Sequence, residues 1–274
     1  QLPQPTAYGA TATTPKGIVL IGGTDPDSAL ASCMLLTVNQ DQAQLSPLPS
    51  LPAPVDNAYA AAIGNTVYLA GGNLSGTPSR SLFALNLDAD APKWVKLKDM
   101  PGNPRVQPVM AAGVNSRGET CLYLFGGFAG RHGNNEPTLE LNGLCYTPSS
   151  NKWHTVKGPV TPQGTPLAVG GGAACTLSSG KIAVCGGVNK DVFLEALRNQ
   201  APDYLDHDPE WYRFNPYTLV FDPATESWLE PVDTARATAR AGASVIPAQD
   251  NSFFIYGGEL KPRVRSSETS HISL

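Results

Sequence analysis

GIVLIGG (17–23), NTVYLAGG (65–72), CLYLFGG (121–127), KIAVCGG (181–187) and FFIYGG (253–258) are five copies of one phrase, an apolar run closed by Gly-Gly. Self-similarity of this kind marks a repeat architecture. Each run reads as a short buried strand whose end adopts a backbone conformation that only glycine takes freely. Upstream of every run lies a strand of small residues: AYGATAT, AYAAAIG, VMAAGV, GGGAACTL and AGASVIP. Small side chains suit the inner strands of a radial array, where neighbouring sheets converge.

Downstream, an aromatic or aliphatic residue is followed seven positions later by Trp: Tyr146 to Trp153, Phe221 to Trp228 and Leu87 to Trp94. A polar turn (TPSSNK, DPATES, DADAPK) separates the two, so the spacing predicts a third strand, a turn and an outer strand whose Trp packs between sheets. The first copy carries Val38 and Leu45 in the same register. Together these features predict an all-β, Kelch-type β-propeller as one domain over 1–274. The blades are expected near 8–52, 55–102, 105–164, 165–234 and 240–274. QLPQPTAYGAT at the start echoes the linker LPSLPAPVDNAYAAA, and SSETSHISL at the end reads as a third strand with none after it. The expectation from the chain ends is an upstream strand that closes the last blade, and a sixth blade with it.

Composition narrows the function. Gly 27 and Pro 25 supply many turns, while 41% hydrophobic residues supply a core, which excludes a disordered chain. The formal net charge is −4, and no basic run could track a phosphate backbone, so nucleic acid is not an expected partner. No apolar run approaches the ~20 residues of a spanning helix, so no membrane insertion is expected. The doublets lack GxGxxG or Walker context and read as architecture. Cys33, Cys121, Cys145, Cys175 and Cys185 show no CxxC pair and no Cys/His ligand spacing, so no metal site is expected; they read as small core residues, with Cys175–Cys185 left open as a disulfide. The four His residues are scattered, without triad or ligand cluster.

MPGNPRVQP (100–108), GGVNKDVF (186–193), EWYRFNPYTLVFDPATESW (210–228) and GGELKPRVRS (257–266) resemble a specific family, the bacterial N-acetylneuraminate epimerases, also called sialic acid mutarotases. The last segment is the most specific, since Gly-Glu-x-Lys-Pro-x-x-Arg is not a general Kelch feature. In the enterobacterial members that repeat is the fourth of six, whereas here it is the fifth and last seen, so the order resembles a cyclically permuted branch. The resemblance implies a cofactor-independent epimerase acting on a small sugar acid, with Glu259 and Arg265 as the acid/base pair. It also implies a periplasmic or secreted location.

The chemistry fits those residue types. Mutarotation needs proton transfer between the anomeric hydroxyl and the ring oxygen. Glu259 is suited to take the anomeric proton, and Arg265, which stays ionised, to bind the sugar carboxylate or stabilise developing charge. The competing reading of the pair is a surface ion pair in the loop after the fifth doublet. Arg105 and Gln107, in the linker entering the third repeat, and Asn189, after the fourth doublet, are expected to contact substrate; a solvated linker and a turn-favouring Asn are the alternatives. Arg131 and His132 sit in the third repeat's long loop, where a substrate contact is expected, a structural or solvated His132 being the alternative. The stretch 190–217, with Tyr204, Trp211, Tyr212 and Phe214, reads either as a cap that stacks on sugar faces or as an anchored insertion. The rival function is a non-catalytic Kelch module binding protein or glycan. A copper radical oxidase lacks a suitable Tyr/His set with a cross-linkable Cys.

Overall fold

The structure, a computed structural model, describes residues 2–199 and 202–274. The first repeat forms an antiparallel sheet of strands Ala10–Thr14, Gly17–Ile21, Cys33–Asn39 and Gln42–Leu48, paired in sequence order. Its first strand alternates buried Ala10 and Ala12 with exposed Thr11 and Thr13, the period-two pattern of a strand with one face inward. The second to fourth repeats each give a four-stranded core sheet in the same order. In the fifth, Ala241–Pro247, Ser252–Lys261 and Thr269–Ser273 are the first three strands. Where one domain over 1–274 is expected, the chain divides into two compact units of whole repeats, 1–107 and 108–274.

The doublets take the conformation that their composition demands. Gly22 and Gly23 have φ of 55° and 94°, Gly186 and Gly187 67° and 97°, and the other three pairs follow. A Cβ on Gly22 would stand 2.4 Å from the Val55 carbonyl oxygen, and one on Gly186 2.4 Å from that of Arg240. No side chain fits there. The second glycine then donates its N–H to the same linker carbonyl: Gly23 to Val55 (2.8 Å), Gly72 to Arg105 (2.8 Å) and Gly187 to Arg240 (3.0 Å).

Each linker enters its first strand through a residue in the left-handed region: Tyr8, Asn57, Gln107, Gly171 and Gly242. Within unit 1 these residues are joined backbone to backbone, Asn57 N–H to Tyr8 (2.9 Å) and Gln107 N–H to Asn57 (2.8 Å). Within unit 2, Gly242 N–H bonds to Gly171 (2.7 Å).

The aromatic spacing holds where the turn has the right length. Tyr146 faces Trp153 and Phe221 faces Trp228 across adjacent strands. In the third repeat a 3-10 turn at Pro148–Ser150, closed by left-handed Asn151, sets that register. In the second repeat a longer loop shifts it, and Trp94 faces Leu85 rather than Leu87. In the first, Gln40 and Asp41 both take positive φ in a tight hairpin whose twist matches its strands, so Leu45 faces Leu36 and Val38 faces Ala43. The indoles do join repeats: Trp94 Nε1 donates to Pro49 (3.0 Å) and Trp228 Nε1 to Lys157 (2.9 Å), while Phe125 and Trp228 meet edge to face at 4.7 Å.

All five cysteines are buried free thiols. Cys175 faces Ala183 and Cys185 faces Ala173, so the disulfide left open above does not form. The insertion after the fourth doublet folds as a helix, Lys190–Asn199, and a 3-10 turn, Pro209–Tyr212. No helix among the described residues is long and apolar enough to cross a membrane.

Candidate functional site

In three repeats the residue after the doublet starts a short ladder that projects beyond the sheet. Asn73–Leu74 pairs with Thr77–Pro78, and Phe128–Ala129 with Thr138–Leu139. In the fifth repeat the second strand itself runs through Gly257–Gly258 to Lys261 and pairs with Val264–Arg265. Glu259 and Arg265 therefore stand on paired strands rather than in an irregular loop. The reason is local: Gly257 N–H bonds to Glu268 (3.2 Å) and Ser266 N–H to Gly258 (2.8 Å), which zips the returning chain alongside.

Glu259 faces Arg265 on one side and Ala241 on the other. Arg265 Nη2 lies 3.2 Å from Glu259 Oε1, with the carboxylate side chain 23% exposed and the guanidinium side chain 58%. A Cβ on Gly242 would lie 3.9 Å from Arg265 Nη1, so the guanidinium reaches over the left-handed entry to the fifth repeat's first strand.

Behind this pair lies a residue that the sequence reading passed over. Arg240, two residues before Gly242 as Arg105 is before Gln107, is 1% exposed. Its Nη1 donates to the carbonyl oxygens of Gly257 (2.9 Å) and Glu268 (3.4 Å) and to Ser266 Oγ (3.4 Å), and its Nη2 lies 3.5 Å from Glu268 Oε2. One buried guanidinium thus ties the outgoing strand to the returning segment and fixes the base of the ladder carrying Glu259 and Arg265. Aligning the linkers PRVQ and ARAG by their place before the first strand would have found it.

The insertion packs against the same region. Phe193 of the helix meets Phe128 at 4.8 Å, and Tyr212 and Phe214 join Val188 and Ala168 in a buried cluster flanked by Ala241. Lys261 Nζ donates to the His207 carbonyl (2.6 Å). Tyr212 and Phe214 are anchors, whereas Trp211 is exposed and stacked on His207 at 3.7 Å. Burial pushes the Tyr204 phenol up to about 12, with the charges of Tyr212 and Glu259 adding to it, so Tyr204 is a neutral hydroxyl at physiological pH.

The other expected contacts are placed as follows. Asn189 Oδ1 accepts the N–H groups of Asp191 (3.1 Å) and Val192 (3.2 Å), so the side chain caps the helix instead of turning to solvent. Arg131 holds Glu136 with two bonds of 2.6 and 2.9 Å, one from each terminal nitrogen of its fork. Arg105, expected to reach out of its linker, is 1% exposed; its backbone N–H donates to Ser79 (3.1 Å) and its carbonyl accepts from Gly72 (2.8 Å). Gln107 Nε2 donates to Asn57 Oδ1 (2.7 Å), and Asn57 and Asn73 both donate to Asp56 Oδ1 (2.6 and 2.7 Å).

Comparison with known proteins places the chain in a family. The family model described as N-acetylneuraminate epimerase matches residues 48–274. The N-acetylneuraminate epimerase of Brucella melitensis is 28% identical over 249 residues, covering 82% of this chain and 58% of its own; that of Pasteurella multocida is 30% identical over 241 residues, covering 83% and 59%. The solved structure of YjhT superposes with a TM-score of 0.64 at 26% identity, covering 82% of this chain and 67% of that one. This chain spans about three fifths of the length of the curated relatives that it matches. With its repeated four-stranded sheets and its Gly-Glu-x-Lys-Pro-x-x-Arg ladder, the chain belongs to the N-acetylneuraminate epimerase family of Kelch-type β-propellers.

Proposed function

We propose that this protein interconverts the anomers of N-acetylneuraminate or a closely related sugar acid by acid/base-assisted ring opening. The observation that carries the reading is the Glu259–Arg265 pair, two opposite charges 3.2 Å apart on adjacent strands, one half-shielded and one open to solvent. Within the pair each charge satisfies the other. A substrate carboxylate offers Arg265 a bidentate partner, and its arrival frees Glu259 to act as a base.

Glu259 then takes the proton from the anomeric hydroxyl. The electron pair of that O–H becomes the carbonyl π bond as the bond from the anomeric carbon to the ring oxygen breaks, and the ring oxygen leaves with its electrons and takes the proton back from Glu259, directly or through water. Rotation about the exposed carbon–carbon bond presents the other carbonyl face, and the reverse steps close the ring with the opposite configuration. No proton is gained or lost overall. The role of Arg265 is electrostatic, since its guanidinium stays ionised. A periplasmic or secreted location is part of the proposal and rests on the family resemblance.

Proton NMR of freshly released α-N-acetylneuraminate tests the reading. The wild-type chain should speed equilibration to the β anomer, and Glu259→Gln should abolish most of the gain. If the wild type leaves the spontaneous rate unchanged, the assignment fails.

A further inference from the structure

Away from the candidate site, the seam between the third and fourth repeats holds a second cluster of reactive side chains. Cys145 lies on the strand Gly143–Thr147 and faces His154 directly across the ladder, on the strand Lys152–Val156. Glu226, from the fourth repeat's outer turn, approaches from the other side, its Oε1 2.8 Å from His154 Nε2. One ligand atom from each of the three residues lies within 4.8 Å of the others.

Glu226 is also an anomaly of backbone. It holds φ of 50° at the turn position that Asn151, with φ of 51°, fills in the third repeat. Asn tolerates the left-handed region better than Glu, which, like Tyr8 and Gln107, takes it at a cost of about 1–2 kcal/mol. A strained residue whose side chain points into a cluster is a reason to look for function there.

We infer that Cys145, His154 and Glu226 form a three-ligand site for a thiophilic divalent cation of the zinc class, clasping the third repeat to the fourth. A thiolate, an imidazole and a carboxylate are the donors such a cation takes, with bonds of about 2.0–2.3 Å. Tetrahedral bonds of that length place ligand atoms roughly 3.3–3.8 Å apart, so closure requires a shift of about 1 Å. His154 and Glu226, with side chains 44% and 35% exposed, have that freedom, while Cys145 is fixed in the ladder. Binding breaks the His154–Glu226 hydrogen bond and expels the Cys145 thiol proton to solvent. The site shares no residue with the Glu259 ladder.

Cobalt is the probe, because its thiolate complexes absorb in the near ultraviolet. Titrating the chain with Co2+ should raise a thiolate-to-cobalt band that Zn2+ abolishes. His154→Gln and Glu226→Gln, both on the partly exposed side, should weaken binding by at least about 10–100-fold while the circular dichroism stays that of the wild type. Cys145→Ser should remove the band. Absence of the band in the folded wild type overturns the inference, as does a band that both single Gln variants leave unchanged, since that would place the metal on other cysteines.

Discussion

Asn73 in the second repeat and Glu259 in the fifth occupy the same seat, the first residue past the doublet and the first rung of a projecting ladder. Around Asn73 a single carboxylate is shared by neutral amides: Asn73 and Asn57 both donate to Asp56, and Gln107 donates to Asn57. Around Glu259 the partner is a full positive charge, over half exposed, braced from behind by a buried Arg240. The first arrangement is a closed set of local hydrogen bonds, which hold the linker. The second is a pair of ions that an incoming anion can separate. One backbone seat therefore supports either a joint or a reactive centre, and the choice lies in whether its side chain and its partner carry full charges.

The largest effect should come from removing the charge at that seat. Glu259→Gln is expected to lower kcat for anomer exchange by about 10²–10⁴-fold, with KM much less affected. Arg265→Ala should instead act mainly on KM, and Arg265→Lys should recover only part of it because the fork geometry is lost. Equal losses of kcat in the Glu259 and Arg265 variants with unchanged KM would break the division of roles.

Next come the two linker arginines. Arg240→Ala strands the carbonyls of Gly257 and Glu268 and should destabilise unit 2 by about 1–3 kcal/mol in urea unfolding. It should also depress anomer exchange, because the ladder above it loses its brace. Arg105→Ala, the same change in the closed region, should cost stability with a smaller loss of kcat.

Converting one seat into the other is a milder perturbation. Asn73→Glu places a second carboxylate opposite Asp56, removes a donor, and should destabilise by about 1 kcal/mol without creating activity. A gain of exchange activity in Asn73→Glu tested on a Glu259→Gln background would show that the seat alone suffices.

The smallest effect concerns Tyr204. Its phenol is raised from an ordinary 10.0 to about 12, first by burial, then by Tyr212 and Glu259. The folded state therefore holds a proton that the unfolded chain releases, so the stability due to this group is intact below pH 10 and is lost as pH rises through 12. Ultraviolet titration of phenolate should show several late-ionising tyrosines, since burial also raises Tyr68, Tyr123, Tyr212 and Tyr256; the step lost in Tyr204→Phe is that of Tyr204 and should shift slightly downward in Glu259→Gln. An unmoved titration would mean that the two groups are not neighbours in solution.

Much of this was legible in the residues. The doublets announce themselves because a left-handed strand end excludes every Cβ, and GELKPRVR marks the segment that carries the charged pair, although it reads as a loop rather than as the ladder it forms. Less was legible where loop length sets register, as with Val38 and Leu45, or where burial reverses a residue's meaning, as with Arg105. The helix Lys190–Asn199 went unread although Asn189 and Asp191 form a good start signal, since its long insertion was read as loop. Arg240 was missed because one of the two arginines in ARATARAG carries no signal of its own until the linkers are overlaid.

The repeat-to-repeat links from Tyr8 to Asn57 to Gln107, and from Gly171 to Gly242, are made entirely of peptide amides and carbonyls. A coupling written in the main chain keeps no record of which side chain sits above it. Tyr, Asn, Gln and Gly all serve. Sequence can drift far at such joints while the assembly persists, so relatives only 28–30% identical can still share the fold, and a newly charged residue can be tried in one copy without disturbing the rest.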